Sequence, residues 1–200
     1  MGKYSVKYTG FPFHLTRNKK VVAWKSFLPK SLIVGNWVFA EDYYSIYMRE
    51  RKEWMRYYVP PFDLRRATIL DIGAGCGETA KFFLEQLGVE RVICIENNPE
   101  ALVYLEKNAE SHSIDVVPES FRNAHLFKYQ HDFMKCDIEG YEAIILRDDV
   151  LEKYQVPCVL EVHSSYLRDE FRDKGFITDK ETLNRLNVYY MHRFPQPYLL

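Results

Sequence analysis

Apolar positions along the chain fall into two regimes. Up to about residue 40 they alternate in short bursts, Tyr4 to Tyr8 and Val21 to Trp24, separated by Gly10, Pro12, Asn18 and Pro29. Period-two alternation between turn residues predicts a small antiparallel β element with hairpin turns. From Glu41 to Tyr58 the period lengthens. Tyr44, Tyr47, Met48, Trp54, Met55 and Tyr58 form one stripe, with Arg49, Lys52, Glu53 and Arg56 opposite, which predicts an amphipathic helix. Pro60 and Pro61 break that helix. Residues 1–62 therefore read as an N-terminal α+β extension and 63–200 as the central unit.

Past the prolines, continuous apolar runs alternate with helical periods, the pattern of a mostly parallel sheet flanked by helices. Strands are predicted at Ala67–Ile72, Val89–Ile95, Ile114–Val117, Phe133–Ile138 and Pro157–Val162. Helices are predicted at Glu78–Leu87, Pro99–Ala109, Tyr141–Lys153 and Ser165–Lys174. Two closing strands follow, Phe176–Thr178 and Val188–Arg193. No internal repeat or low-complexity tract interrupts this order.

The chemistry concentrates at Asp71 to Gly77, D-I-G-A-G-C-G. Gly73, Gly75 and Gly77, with Ala74 between them, allow positive φ and let a ligand lie close to the backbone between strand and helix. The next strand delivers Glu96 and Asn97 at its carboxyl end, where open α/β sheets bind ligands and where a carboxylate can accept both hydroxyls of a ribose. Glu78 stands at the third position of a dinucleotide fingerprint, and its charge would face a pyrophosphate, which disfavours NAD.

The spacing acid-x-G-x-G-x-G resembles motif I of the class I S-adenosylmethionine-dependent methyltransferases. That resemblance implies S-adenosyl-L-methionine as cofactor, its methionine end on the glycine loop with the Asp71 carboxylate facing the same ligand, and its ribose on Glu96. It also implies an adenine contact just past the third strand, among Glu119, Ser120 and Phe121. Lys135 to Glu142, K-C-D-I-E-G-Y-E, is similar to the K-x-D-x-E-G-x-E signature of FkbM-type methyltransferases, and L-E-V-H at Leu160 to His163 is similar to the close of that family's fifth strand. The likeness spans about half the chain, Thr68 to His163. Two departures stand out: Gly75 replaces the usual Asn, and the segment between third and fourth strands is short. The implied fold is α/β, a Rossmann-like class I methyltransferase fold with a mostly parallel seven-stranded sheet, an antiparallel C-terminal strand and a small N-terminal extension.

Methyl transfer to an alcohol needs an aligned acceptor and removal of its proton. Asp137 or Glu139, at the end of the fourth strand, is the expected base or acceptor anchor, and His163 is a second candidate. Carboxylates there could equally cap a helix. His125, His131, Asp132 and Cys136 match no standard metal spacing, so no metal is expected. Methylation of a small-molecule or sugar hydroxyl is the leading expectation.

Charge adds a second. Residues 1–66 carry 13 Lys and Arg against 5 Asp and Glu, and the remainder 14 against 23, which suggests either an anionic partner for the first part or attraction between the two. Ile95 to Asn108 also resembles the ribose strand and helix of a class of tRNA methyltransferases, so RNA is the alternative acceptor. A non-catalytic cofactor-binding protein is a third reading. Cys76, Cys94, Cys136 and Cys158 form no C-x-x-C pair and read as reduced core thiols of a cytoplasmic protein. No apolar run approaches a membrane span, and Met1 to Gly10 lacks a signal-peptide pattern.

Overall fold

A computed structural model describes residues 4–7, 14–17, 20–25, 31–42, 55–181 and 188–194. The first part forms an antiparallel sheet whose five strands pair in chain order: β1 (Tyr4–Lys7), β2 (His14–Arg17), β3 (Lys20–Lys25), β4 (Ser31–Val34) and β5 (Trp37–Ala40). Gly35, at φ 66°, makes the two-residue turn between β4 and β5, with Val34 opposite Trp37. Most of the helix expected over Glu41 to Tyr58 lies outside the described residues. Its last turn is a 3-10 helix, Met55–Tyr58, with Met55 and Tyr58 buried and Arg56 exposed, as the stripe required.

The second sheet has seven strands in the order β11-β12-β10-β9-β6-β7-β8. β6 (Thr68–Ile72), β7 (Arg91–Ile95), β8 (Ile114–Val117), β9 (Phe133–Cys136) and β10 (Cys158–Val162) are parallel; β12 (Tyr189–Arg193) runs antiparallel between β10 and β11 (Ile177–Glu181). Strands covered on both faces need side chains that tolerate burial throughout, which is why β6, β7, β9 and β10 read as largely apolar runs, interrupted by the ionisable Asp71, Lys135 and Glu161. The four cysteines are free and buried. No helix among the described residues is long and apolar enough to cross a membrane.

The predicted helix Tyr141–Lys153 is instead two pieces, a 3-10 helix Glu142–Leu146 and an α-helix Val150–Lys153. Asp148 and Asp149 between them adopt φ of 62° and 51°. A continuous right-handed helix cannot pass through two left-handed residues, and aspartate tolerates that conformation better than most. The helix after the glycine loop runs as predicted from Glu78, but Phe83–Leu87 is wound as a π-helix before Gly88 ends it.

One side-chain amide of the second unit pairs with the β5 backbone. Asn108, fully buried on helix Pro99–Ala109, accepts from Val38 N at 2.7 Å and donates to Val38 O at 2.8 Å and Cys76 O at 2.9 Å. It thereby completes an edge strand as another strand would. Trp37 donates its indole N–H to Glu85 at 2.7 Å, and Trp37 and Phe39 are fully buried in the same core as Phe83 and Leu105.

Candidate functional site

β6 ends against its neighbours, and the chain then turns away from the sheet. Gly73 N donates to Ile95 O at 2.9 Å, and Gly73, Gly75 and Gly77 all have positive φ. Gly75 N reaches Glu96 Oε2 at 2.8 Å, while Glu96 Oε1 accepts from Asn97 N at 2.8 Å and Asn98 N at 2.7 Å. Asn97 in turn donates to Ser120 Oγ at 3.0 Å, tying the loop after β7 to the loop after β8. These loops wall a cavity of about 680 Å³ at the carboxyl ends of the strands.

Gly73, Ala74, Gly75, Glu96, Asn97, Glu119 and Ser120 all border that cavity. Asp71 and Gly77 do not. The expectation that the Asp71 carboxylate faces a ligand is corrected: Asp71 is 0 % exposed, lies 3.0 Å from Lys135 Nζ and accepts from the Thr79 hydroxyl. Gly77 packs on Leu105 and Trp37 instead.

Lys135 sits in register opposite Asp71 and also donates to Gly73 O at 2.8 Å. Burial works against its ammonium, but Asp71 and then Asp137 outweigh burial and hold its pKa above the ordinary value. Glu78, 8 % exposed, borders the cavity; its Oε2 accepts from Cys76 N at 3.0 Å and its Oε1 has no hydrogen-bond partner. Burial pushes Glu78 up to about 7.

Beyond the loop, β9 and β10 present an acidic group. His163 Nδ1 lies 3.0 Å from Glu142 Oε1, and Glu142 is fully buried. His163 Nε2 faces Glu139 Oε2 at 3.5 Å, Glu161 Oε1 at 3.7 Å and Asp137 Oδ1 at 3.8 Å. Burial opposes the imidazolium, yet the Glu142 hydrogen bond and then the Asp137 charge carry its pKa up to about 9. An imidazolium has no lone pair to take a proton, so in this state His163 is not the free base of the group. Burial, reinforced by Asp137, moves Glu161 up to about 7, against a 2.6 Å hydrogen bond from the Tyr58 hydroxyl.

The three expected residues Asp137, Glu139 and His163 are thus brought together. Asp137 and Glu139 border the cavity; His163 does not. Sequence reasoning missed Lys135, Glu161 and Tyr190 as cavity residues and noted Glu78 only as a charge hostile to pyrophosphate. Lys135 carried a signal, an ionisable residue inside an apolar strand. Tyr190 carried none, since only the antiparallel pairing of β12 with β10 places Tyr190 beside Glu161.

No protein-family model matches the sequence, and no curated protein matches it. Solved structures do match in shape. The chain is similar to a precorrin-6y C5,15-methyltransferase from Geobacter metallireducens GS-15, with TM-score 0.51 and 18 % identity over 72 % of this chain and 86 % of that one. It is similar to MtNAS in complex with MTA and tNA, with TM-score 0.53 and 15 % identity over 78 % and 62 %. It also resembles a chain of the fibrillarin/Nop5p complex, with TM-score 0.51 and 14 % identity over 65 % and 73 %. Strand order, the antiparallel β12 and these likenesses agree, and the chain has the Rossmann-like fold of class I methyltransferases.

Proposed function

We propose that this chain is an S-adenosyl-L-methionine-dependent methyltransferase acting on oxygen of a small molecule, with the cofactor in the cavity above the glycine loop. The observation that carries the reading is the junction of Gly75 and Glu96: a bare backbone turn and a carboxylate fixed by three backbone amides face one hollow. A carboxylate so held keeps a free lone pair on Oε2 for a ribose hydroxyl. The unpartnered Glu78 Oε1 fits the α-ammonium of the methionine end, and a phosphate would be repelled there. The cofactor supplies a methyl group on a positively charged sulfur. The chain's own work is to exclude water, hold the acceptor in line and accept its proton, for which Asp137, Glu139 and Glu161 are carboxylates on the cavity wall. The Lys135–Glu142 motif supports the finer FkbM-type assignment. Carboxylates along the acceptor side disfavour phosphate, which argues for a small molecule over RNA at the reacting end.

Titration calorimetry tests this. Wild-type protein is expected to bind S-adenosylmethionine and S-adenosylhomocysteine, and Glu96→Ala to bind both at least tenfold more weakly, since charge-assisted hydrogen bonds contribute about 1.5–3 kcal/mol each. Unchanged affinity in the variant overturns the reading.

Glu78→Gln separates the two ends of the ligand. It is expected to weaken S-adenosylmethionine about tenfold and to leave 5′-methylthioadenosine, which lacks the amino acid, almost unaffected. Equal losses for both ligands would remove the ammonium role. The same variant has a pH signature. Glu78 binds its proton more tightly folded than unfolded, so native stability falls as pH rises from about 4.5 to about 7. Glu78→Gln is therefore expected to melt higher than wild type at pH 8, with the gain vanishing near pH 4.5.

A further inference from the structure

We propose that the cavity sorts its ligands by charge, holding S-adenosylmethionine more tightly than S-adenosylhomocysteine, so that loss of the methyl group itself loosens the product. The inference rests on the methyltransferase reading and concerns how the walls of that site treat two ligands one charge apart. When the methyl leaves, the electron pair of its bond stays on sulfur, and a sulfonium becomes a neutral thioether. The rest of the ligand is unchanged.

The walls are one-sided. Glu78, Glu96, Glu119, Asp137, Glu139 and Glu161 border the cavity, against Lys135 as the one Lys or Arg among the described residues that does. Nearby cations do not restore the balance. Lys135 Nζ stands 3.0 Å from Asp71 but 4.0 Å from Asp137, and His163 Nδ1 lies 3.0 Å from Glu142. Asp71 and Glu142 are both 0 % exposed and neither borders the cavity, so each cation is matched by a carboxylate behind the wall. What remains is one imidazole nitrogen, His163 Nε2, standing 3.5, 3.7 and 3.8 Å from Glu139, Glu161 and Asp137.

A second observation is independent of that count. Glu78, only 8 % exposed, borders the cavity with Oε1 sealed from solvent and without a hydrogen-bond partner, and Asp137 Oδ1 is sealed and unbonded likewise. Buried carboxylate oxygens left without donors are costly, and a positively charged ligand relieves that cost where a neutral one does not. Low-dielectric walls strengthen the effect, whereas Glu139, with its side chain 86 % exposed, is screened by water.

The preference has a pH direction. Burial, reinforced by Asp137, moves Glu161 up to about 7, and burial moves Glu78 up to about 7, so both walls gain negative charge as pH rises from 6 to 7.5. The groups facing them keep their charge over that range. Against burial, the Glu142 hydrogen bond carries His163 up to about 9 and Asp71 holds Lys135 above its ordinary value, while burial keeps the Tyr58 hydroxyl protonated against Glu161.

Titration calorimetry of the full chain with S-adenosylmethionine, S-adenosylhomocysteine and sinefungin, which carries an ammonium-bearing carbon in place of the methylated sulfur, tests this. At pH 7.5 the two cationic ligands are expected to bind about tenfold more tightly than S-adenosylhomocysteine, or better, and the gap should narrow at pH 6. Glu161→Gln should narrow it by weakening S-adenosylmethionine several-fold while sparing S-adenosylhomocysteine, whose unchanged affinity reports an intact cavity. Glu139→Gln should narrow it less. S-adenosylhomocysteine binding as tightly as S-adenosylmethionine, sinefungin matching S-adenosylhomocysteine, or equal losses of both in Glu161→Gln would overturn the inference and leave the cofactor site standing. Failure of all three ligands to bind would sink the methyltransferase reading and this inference with it.

Discussion

Gly73→Ala is expected to abolish cofactor binding and to destabilise the chain by about 4 kcal/mol or more, a loss reserved for severe packing or backbone conflicts. A Cβ at position 73 would lie 1.7 Å from the carbonyl oxygen of Asp137 and 2.8 Å from its carbon. Both are backbone atoms following β9, so relief requires β6 and β9 to part where they are hydrogen-bonded in parallel register. The residue also holds φ 73°, which alone costs a non-glycine residue of order 1 kcal/mol. Gly35→Ala separates the two contributions: Gly35 has a similar φ of 66°, but a Cβ there would meet nothing within 4 Å, so only the conformational cost remains. Urea denaturation of both variants provides the measurement. Gly73→Ala unfolding at the same midpoint as Gly35→Ala would show that the close approach of the two loops is wrong.

Lys135→Met should cost about 3–5 kcal/mol, because it strands a buried carboxylate. Asp71 would keep only the Thr79 hydroxyl as a partner, at a position with no solvent, and Gly73 O would lose its ammonium donor. The decisive control is the double variant Asp71→Asn, Lys135→Met. Removing both charges eliminates the unpaired group, so much of the lost stability is expected to return, as a non-additive coupling in a double-mutant cycle. Additive losses would mean that the two side chains do not act as a pair. A wild-type midpoint for Lys135→Met alone would remove the pair's structural role.

Asp71 shows why part of the site was legible and part was not. The acid before the glycine loop was visible in the sequence, and so was its place at the end of a buried strand. Its partner was not, because β9 lies some sixty residues away and only the crossover that sets β9 beside β6 aligns Lys135 with Asp71. Glu96, by contrast, was readable from local pattern: a strand end, an adjacent glycine loop and a helix opening at Pro99. The broken helix after Tyr141 was hidden for another reason. Its apolar spacing is helical, and the left-handed pair Asp148–Asp149 that interrupts it leaves no trace in periodicity.

The order of apolar runs and glycines by itself determined the alternation of strands and helices, the parallel sheet and the loop that borders the cavity, since burial on both faces and positive φ constrain residue type locally. Which charged side chains face a ligand, and which only hold one another, was decided by tertiary structure. Strand order brings Asp71 to Lys135 and gathers Asp137, Glu139, Glu142 and Glu161 around His163. Electrostatic partnership depends on distance in space, and a chain's separation in sequence does not encode it.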